Sequence, residues 1–410
     1  MFSLEDQHSP VFFVWSSSTR LLMGKGSLGG AARTSENWRK VPAKDELSLS
    51  ALRKSIPAEL FKRSTAHSLG YLAFDLASLW LTYRAAAAAL LLLPGWLVFP
   101  AYALMQGMNL TALWVLGHEC GHGGFTDHKL LNEVVGFCLH CGCGTPYHSW
   151  AASHAKHHRH TNDIVGGESW VPDVLPADGK LDLLQRFMAV RFGGFFRALS
   201  VFCVGFHAYL LVNMTGDLRN MGQSHFVAAP PLFKRSMRGV FLLNNAALAL
   251  VFGSVLRAVL QHGFGTTFAW VIAPHMVNMG FLTTLTFMQH THPNVPHFAG
   301  EHFNWLRGAI STIDRSMGEF ADWRLHRIVD SHVVHHVFPE MPFYNAKKAT
   351  PYLAKALGQY HKGVDIKIWG SSFLGYWHEY VMLMGSAQVA KKSEKDGFFW
   401  FMDDSHSHSH

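Results

Sequence analysis

Apolar positions in this chain gather into runs far longer than a strand or a soluble amphipathic helix requires. The longest covers residues 69–117, broken only by Asp75, Arg84 and the Pro94-Gly95 pair. A helix that crosses a bilayer needs about 20 apolar residues, so this run predicts two spanning helices joined by a tight turn near Pro94-Gly95. Arg84 either snorkels from within the first helix or marks an earlier boundary. Runs at 239–260 and 266–288 predict a second hairpin. Four spans, within 69–117 and 239–288, then put both termini on one side. The run at 198–214 is shorter and carries His207 and Asn213, so a buried or interfacial helix is expected there rather than a span.

Weaker patterns flank these runs. Residues 131–147 (LNEVVGFCLHCGCGTPY) are too short and glycine-broken to cross and are expected as a re-entrant or surface helix. In 47–61 (LSLSALRKSIPAELF), the spacing of Leu47, Leu49, Leu52, Ile56, Leu60 and Phe61 predicts a short amphipathic piece on the membrane surface, interrupted at Pro57 and docking the head. Residues 1–45 lack periodicity and read as a mobile leader. The main domain is expected over 46–375 and a cytosolic tail over 376–410, with FFWFM on the membrane surface and the terminal SHSHSH disordered.

Composition agrees with a membrane protein. Hydrophobic residues make up 49% and charged residues 15%, against roughly 25% charged in soluble domains. The first residues, MFSLEDQHSP, lack a basic segment followed by an apolar one, so insertion is expected to use an internal span. The net charge of +7 owes much to a block from Arg33 to Arg63 just ahead of the first run, which places the N-terminus in the cytosol. Without a basic stripe interleaved with aromatics, nucleic-acid binding is not expected. Four of the five cysteines (Cys120, Cys138, Cys141, Cys143) lie close together, but no second C-x-x-C pair completes a zinc site, and reduced, packed thiols are expected.

The chemistry lies in the histidines, of which there are 28. Residues 118–122 read HECGH, 154–160 HAKHHRH and 332–336 HVVHH. On a helix, positions i, i+3 and i+4 share a face, so His154, His157 and His158 are expected to converge on one metal region, as are His332, His335 and His336; His118 and His122 add an i, i+4 pair. Eight imidazoles exceed the three or four protein ligands of a tetrahedral zinc and suit two metals with open positions. Imidazole suits iron, the preferred metal, and leaves copper, manganese and zinc open. With four spans, all three boxes fall on the cytosolic side.

Taken alone, HECGH has the form of an intramembrane zinc protease with Glu119 as general base, but that reading leaves both H-x-x-H-H clusters without a role. A ferritin-like carboxylate site needs a second Glu-x-x-His motif, and only Glu119 with His122 supplies one. A non-enzymatic metal or lipid sensor is the remaining rival, separable by oxygen consumption.

At these residues the chain resembles the membrane fatty acid desaturase family, whose three histidine boxes are here HECGH, HAKHH and HVVHH. The likeness extends through PYHSW (146–150), TFMQHTHPNVPHF (286–298), NWLRGAISTID (304–314) and HVVHHVFPEMPFYNA (332–346), covering roughly residues 45–370. Within the family it is most similar to the Δ12 and ω3 acyl-lipid group. HECGH, SHAKHH and PFYNA match the Δ12 branch; HGGF (122–125), GGESW (166–170) and HHVFP (335–339) match the ω3 branch.

The resemblance implies an all-α integral membrane fold, a four-span helical bundle capped by a cytosolic histidine-rich di-iron domain. It implies one more ligand, His290, with His292 and His297 nearby as alternatives that are otherwise expected in supporting roles. It also implies an endoplasmic reticulum location, dioxygen as co-substrate, and electrons from a separate cytochrome b5 and its NADH-dependent reductase, since no HPGG haem motif is fused. The implied reaction places a cis double bond in a long acyl chain carried by a lipid or coenzyme A. The Δ12 oleate type is favoured, with the ω3 position or a triple bond, hydroxyl or epoxide as alternatives. Metal-bound histidines usually donate their other N–H to a carboxylate or carbonyl, and Glu119, Asp163, Asp314 and Asp330 are the candidates by proximity. The acyl channel is expected to be lined by the span ends and the 131–147 segment.

Overall fold

The computed structural model describes residues 38–176, 193–214, 216–386 and 389–402, and they are mostly helical. Most of the expected leader and the SHSHSH tail lie outside the described residues. The first helices are α1 (Leu49–Lys54), α2 (Thr65–Ala89) and α3 (Gly95–His122). The Ser64 hydroxyl accepts from the His67 amide at 3.3 Å and caps the start of α2. Pro94, in an extended conformation, prevents the turn at 90–94 from continuing as helix and opens α3. The two helices thus fall where the 69–117 run predicts a hairpin. Arg84 lies inside an unbroken α2, exposed and over the Trp80 ring at 5.5 Å, so no boundary falls there.

Next come α4 (Lys129–Gly142), α5 (Tyr147–Arg159), α6 (Gly193–Val212), α7 (Arg238–His262) and α8 (Phe264–His290), the last with a π-helical turn at Phe268–Ile272. The head is completed by α9 (Trp305–Ala309), α10 (Glu319–Arg324), α11 (His332–Val337), α12 (Phe343–Leu357) and α13 (Ser372–Ser386). Helices α3 and α8 pack side by side at the centre, with α2 against α3, α6 against α8 and α13 against α6. Among the described residues three helices are long and apolar enough to cross a membrane, Gly194–Val212, Arg235–His262 and Phe264–His290, so α2 and α3, expected as two spans, are not among them. The chain is a membrane protein. That α6 meets the criterion departs from the expectation for 198–214, because the helix begins earlier than the apolar run.

Two peripheral segments also differ from expectation. The 47–61 piece docks the head as expected, but Leu52 and Ile56 are buried against Val333, Val334 and Leu353, so these apolar residues face protein rather than lipid. The boundary drawn at 375 falls inside α13. Beyond it, β4 (Val389–Lys392) pairs parallel with β1 (Asp173–Val174) and antiparallel with β5 (Phe399–Phe401). Phe399, Trp400 and Phe401 are buried, and the Phe399 and His297 backbones exchange hydrogen bonds of 2.8 Å, so FFWFM covers the head instead of lying on a membrane. The other two strands, β2 (Asp314–Arg315) and β3 (Gly363–Val364), form a short parallel pair.

Candidate metal centre

Each histidine box is delivered by a helix end. Box one closes α3, which stops at Gly123 with a φ of 71°, a left-handed conformation that a residue with a Cβ rarely adopts. The Gly124 amide then returns to the Glu119 carbonyl at 2.9 Å, which holds the last turn, and His122 with it, in register. Gly117 serves the same helix differently. A Cβ there would lie 2.3 Å from the His140 ring, whose Nε2 contacts the Trp114 carbonyl at 3.0 Å. Box two lies in the last two turns of α5. Box three forms α11, whose Val333 amide donates to Asp314 Oδ1 at 2.8 Å.

The structure brings all nine predicted histidines together, in two groups. The ligand atoms of His118, His122, His154, His158 and His335 all lie within 4.8 Å of one another, and so do those of His157, His290 and His336. His332 joins the second group through His290, Nε2 to Nε2 at 3.1 Å. In the first group, successive Nε2 atoms of His122, His154, His158 and His335 are 3.0–3.1 Å apart. Box two therefore does not converge on a single metal region as its spacing suggested: His154 and His158 enter one group and His157 the other. Box three splits likewise, His335 from His332 and His336. Adjacent residues on a helix point about 100° apart, so each H-H pair serves both groups at once.

These side chains fit metal binding. Burial, reinforced by neighbouring imidazoles, holds His154, His158, His332, His335 and His336 well below the ordinary histidine value, and burial takes His157 to about 3, so all are neutral and offer lone pairs. His336 spends Nδ1 on Thr161 Oγ1 at 3.1 Å, while its Nε2 is buried without a hydrogen-bond partner among the described residues. A buried unsatisfied nitrogen is costly unless a cation meets it. Both groups consist of nitrogen donors alone.

The four carboxylates differ in placement. Glu119 Oε1 lies 2.9 Å from His118 Nδ1 and 3.9 Å from His335 Nδ1, behind the rings, in a small separate cavity with Ser331, Phe338 and Met341. That position, on the Nδ1 side of its neighbours, does not suit a base for a metal-bound water. Asp314 bonds His361 Nε2 at 2.9 Å besides the Val333 amide. Asp163 bonds His160 and the Val165 amide; Asp330 pairs with Lys347 and Arg327. His292 stacks edge-on to Trp38 and His297 to Phe401, both outside the two groups.

Beside the histidines lies a largely apolar cavity. His118 and His154 of the first group, and His157, His290 and His332 of the second, share its wall with Trp114, Trp150, Trp170, Phe206 and Leu282. The ends of α3 and α8 line it, as expected of the span ends, but no residue of 131–147 contributes, and α5 and α6 take that place. Sequence reasoning missed Trp114 and Trp150, although each precedes a box histidine by four residues and so shares its helix face.

Residues 61–367 match the model of a family described as fatty acid desaturase. The chain belongs to the fatty acid desaturase family. This desaturase is therefore an oxidoreductase. It is 34% identical over 389 residues to a fatty acid conjugase of Calendula officinalis, covering 92% of this chain and 99% of that protein. It is 34% identical over 350 residues to the omega-6 fatty acid desaturase, endoplasmic reticulum isozyme 2, of Glycine max (83% and 89% covered). Over 346 residues it is 34% identical to the Delta(12) fatty acid desaturase of Mortierella alpina (80% and 86% covered).

Proposed function

We propose that the chain introduces a cis double bond of the Δ12 type into a long acyl chain, using dioxygen at a two-iron centre. The observation that carries this reading is the apolar cavity with histidines of both groups in its wall. Removing hydrogen from unactivated methylenes offers a protein no acid or base handle, so two iron ions would supply the oxidising chemistry. His118, His122, His154, His158 and His335 would hold one ion; His157, His290, His332 and His336 would hold the other. The chain's own part is to keep these imidazoles neutral, to exclude water with Trp114 and Trp150, and to lay the acyl chain along the histidine wall. Glu119 holds His118 in one orientation, and Asp314 anchors box three.

The Δ12 assignment is carried from the Mortierella alpina and Glycine max relatives, and the endoplasmic reticulum location from the name of the latter. The four-span topology with both termini on one side is supported by parity, and the basic block from Arg33 to Arg63 assigns that side to the cytosol. His158 and His290 belong to neighbouring groups, so an even number of crossings separates them, and α6, α7 and α8 do not all cross. We assign the spans to the α2–α3 and α7–α8 hairpins, and one desaturase domain to residues 46–375 with the α13–β5 segment packed onto it. An acyl-lipid or acyl-CoA is the substrate, and a separate cytochrome b5 with its NADH-dependent reductase delivers the electrons.

Expression in yeast supplied with oleate or linoleate, followed by mass spectrometry of the fatty acids, tests the reading. Linoleate formed from oleate is the expected result. A third double bond in linoleate assigns the ω3 position instead, and loss of neither substrate overturns the desaturase reading.

We assign to Trp170, in the cavity wall, a part in regiochemistry. It adopts a φ of 54°, donates from Nε1 to Thr286 Oγ1 at 3.0 Å and packs on Phe287. Such a conformation costs on the order of 1–3 kcal/mol in a non-glycine residue and persists only where its surroundings hold it. Trp170→Ala is expected to cut discrimination between neighbouring methylenes about tenfold, read as new positional isomers. A single unchanged isomer from that variant would count against the role.

A further inference from the structure

A charged side chain with no part in the reaction above lies against the centre. Arg315, in β2, is 1% exposed. A buried guanidinium is tolerated only when its hydrogen-bond partners and counter-charge are well placed, so its contacts are informative. Nη1 donates to the Met288 carbonyl at 2.6 Å and lies 3.4 Å from Met288 Sδ. Nη2 donates to the Thr291 carbonyl at 3.2 Å, and Glu379 Oε1 of α13 lies 3.3 Å from it. Met288 and Thr291 flank His290 at the end of α8. Carbonyls there have no partner within the helix, and the negative end of its dipole favours a cation.

The backbone around Arg315 is stitched to both sides of the second histidine group. The Ile313 amide donates to the Gln289 carbonyl at 3.0 Å, one residue before His290. The Arg315 amide donates to the Val329 carbonyl at 3.0 Å, in the turn that leads into box three, and Asp314 Oδ1 receives the Val333 amide. Residues 313–315 thus hold the helix end that carries His290 and the segment that carries His332 and His336. His290 has most need of such support, because it is the only histidine of the nine that lies outside the three boxes.

We propose that Arg315 is a positioning residue: it clamps the last turn of α8 so that His290 meets His157, His332 and His336, with Glu379 as its counter-ion. The inference rests on the two-metal reading. A lysine would keep the charge but lose the two-pronged donor that reaches both carbonyls.

The test measures iron per chain by mass spectrometry in full-length protein purified in detergent, with the elution profile recorded alongside. Wild type, Arg315→Gln, Arg315→Lys and Glu379→Gln are compared. Wild type is expected to carry two ions and Arg315→Gln close to one, with affinity for the second ion about 10–100-fold weaker. Arg315→Lys should fall between them, and Glu379→Gln should show a smaller loss in the same direction. Two ions and undiminished product in Arg315→Gln overturn the inference and leave the metal centre standing. Equal loss of both ions makes Arg315 a general folding contact and overturns it too. Should Arg315→Gln aggregate, the milder pair decides: selective loss of one ion upholds the clamp, and retention of both sinks it. A wild-type chain that binds no metal overturns the two-metal reading, and the inference falls with it.

Discussion

His157→Ala yields a folded protein with product reduced more than about 100-fold, because removing a direct ligand should exceed the 10–100-fold typical of losing an outer partner. His157 Nε2 lies 3.2 Å from His290 Nε2 and its ring shares the cavity wall, so it touches both the proposed second ion and the acyl chain. Its backbone carbonyl still receives the Thr161 hydroxyl at 2.8 Å in the variant, so the end of α5 is preserved. Iron per chain should drop by about half, since the five histidines of the first group are left whole. The comparison variant is His67→Ala, whose exposed ring stacks on Tyr344 at 4.3 Å, far in character from either group. Surface changes of that kind alter stability by about 0.5 kcal/mol or less. Product yield from His157→Ala equal to that from His67→Ala would remove His157 from the site.

The second large effect concerns stability and falls on Asp75, the acidic residue that interrupts the first apolar run. It is fully buried, with Arg324 Nη1 at 2.7 Å from one oxygen and His326 Nε2 at 2.7 Å from the other. Arg324 Nε also reaches Asn109 Oδ1 of α3 at 2.9 Å, so the network ties the α2–α3 hairpin to the segment just ahead of box three. Breaking a buried pair by removing one partner costs about 3–5 kcal/mol, because the other charge stays buried and uncompensated. Asp75→Ala is therefore expected to lower the melting temperature of the detergent-purified protein by several degrees. Asp75→Ala combined with Arg324→Met should recover much of that loss, since no lone charge remains. A single variant that melts with wild type, or a double variant no better than the single, would refute this account.

Much of the site was legible in the primary structure because its signals are local. Imidazoles at i, i+3 and i+4 share a helix face whatever the rest of the chain does, so the boxes declared themselves from spacing alone. Apolar runs likewise mark helices in a membrane protein, and the hairpin turn at 90–94 follows from Pro94. Other features were not legible, because they depend on which surfaces meet. Asp75 read as a flaw in an apolar run until Arg324 and His326, about 250 residues later, were brought against it. FFWFM read as a membrane contact until its pairing with β4 buried it.

What the chain's sequence determined unaided is the eight clustered imidazoles of the three boxes and the helical hairpins, which rest on residue type and short-range periodicity, and the family, which rests on resemblance across the boxes and their flanking motifs. Tertiary structure decided how the nine histidines divide. His157 and His158 are neighbours in the chain yet face different groups, and so are His335 and His336. It also decided that α5 and α6, rather than the 131–147 segment, join the ends of α3 and α8 in walling the cavity. The physical reason is that spacing along a helix fixes only the angle between side chains. Which partner each angle meets is set by the packing of helices far apart in the chain, and that packing is held here by buried polar clamps such as Asp75 with Arg324 and Arg315 with Glu379.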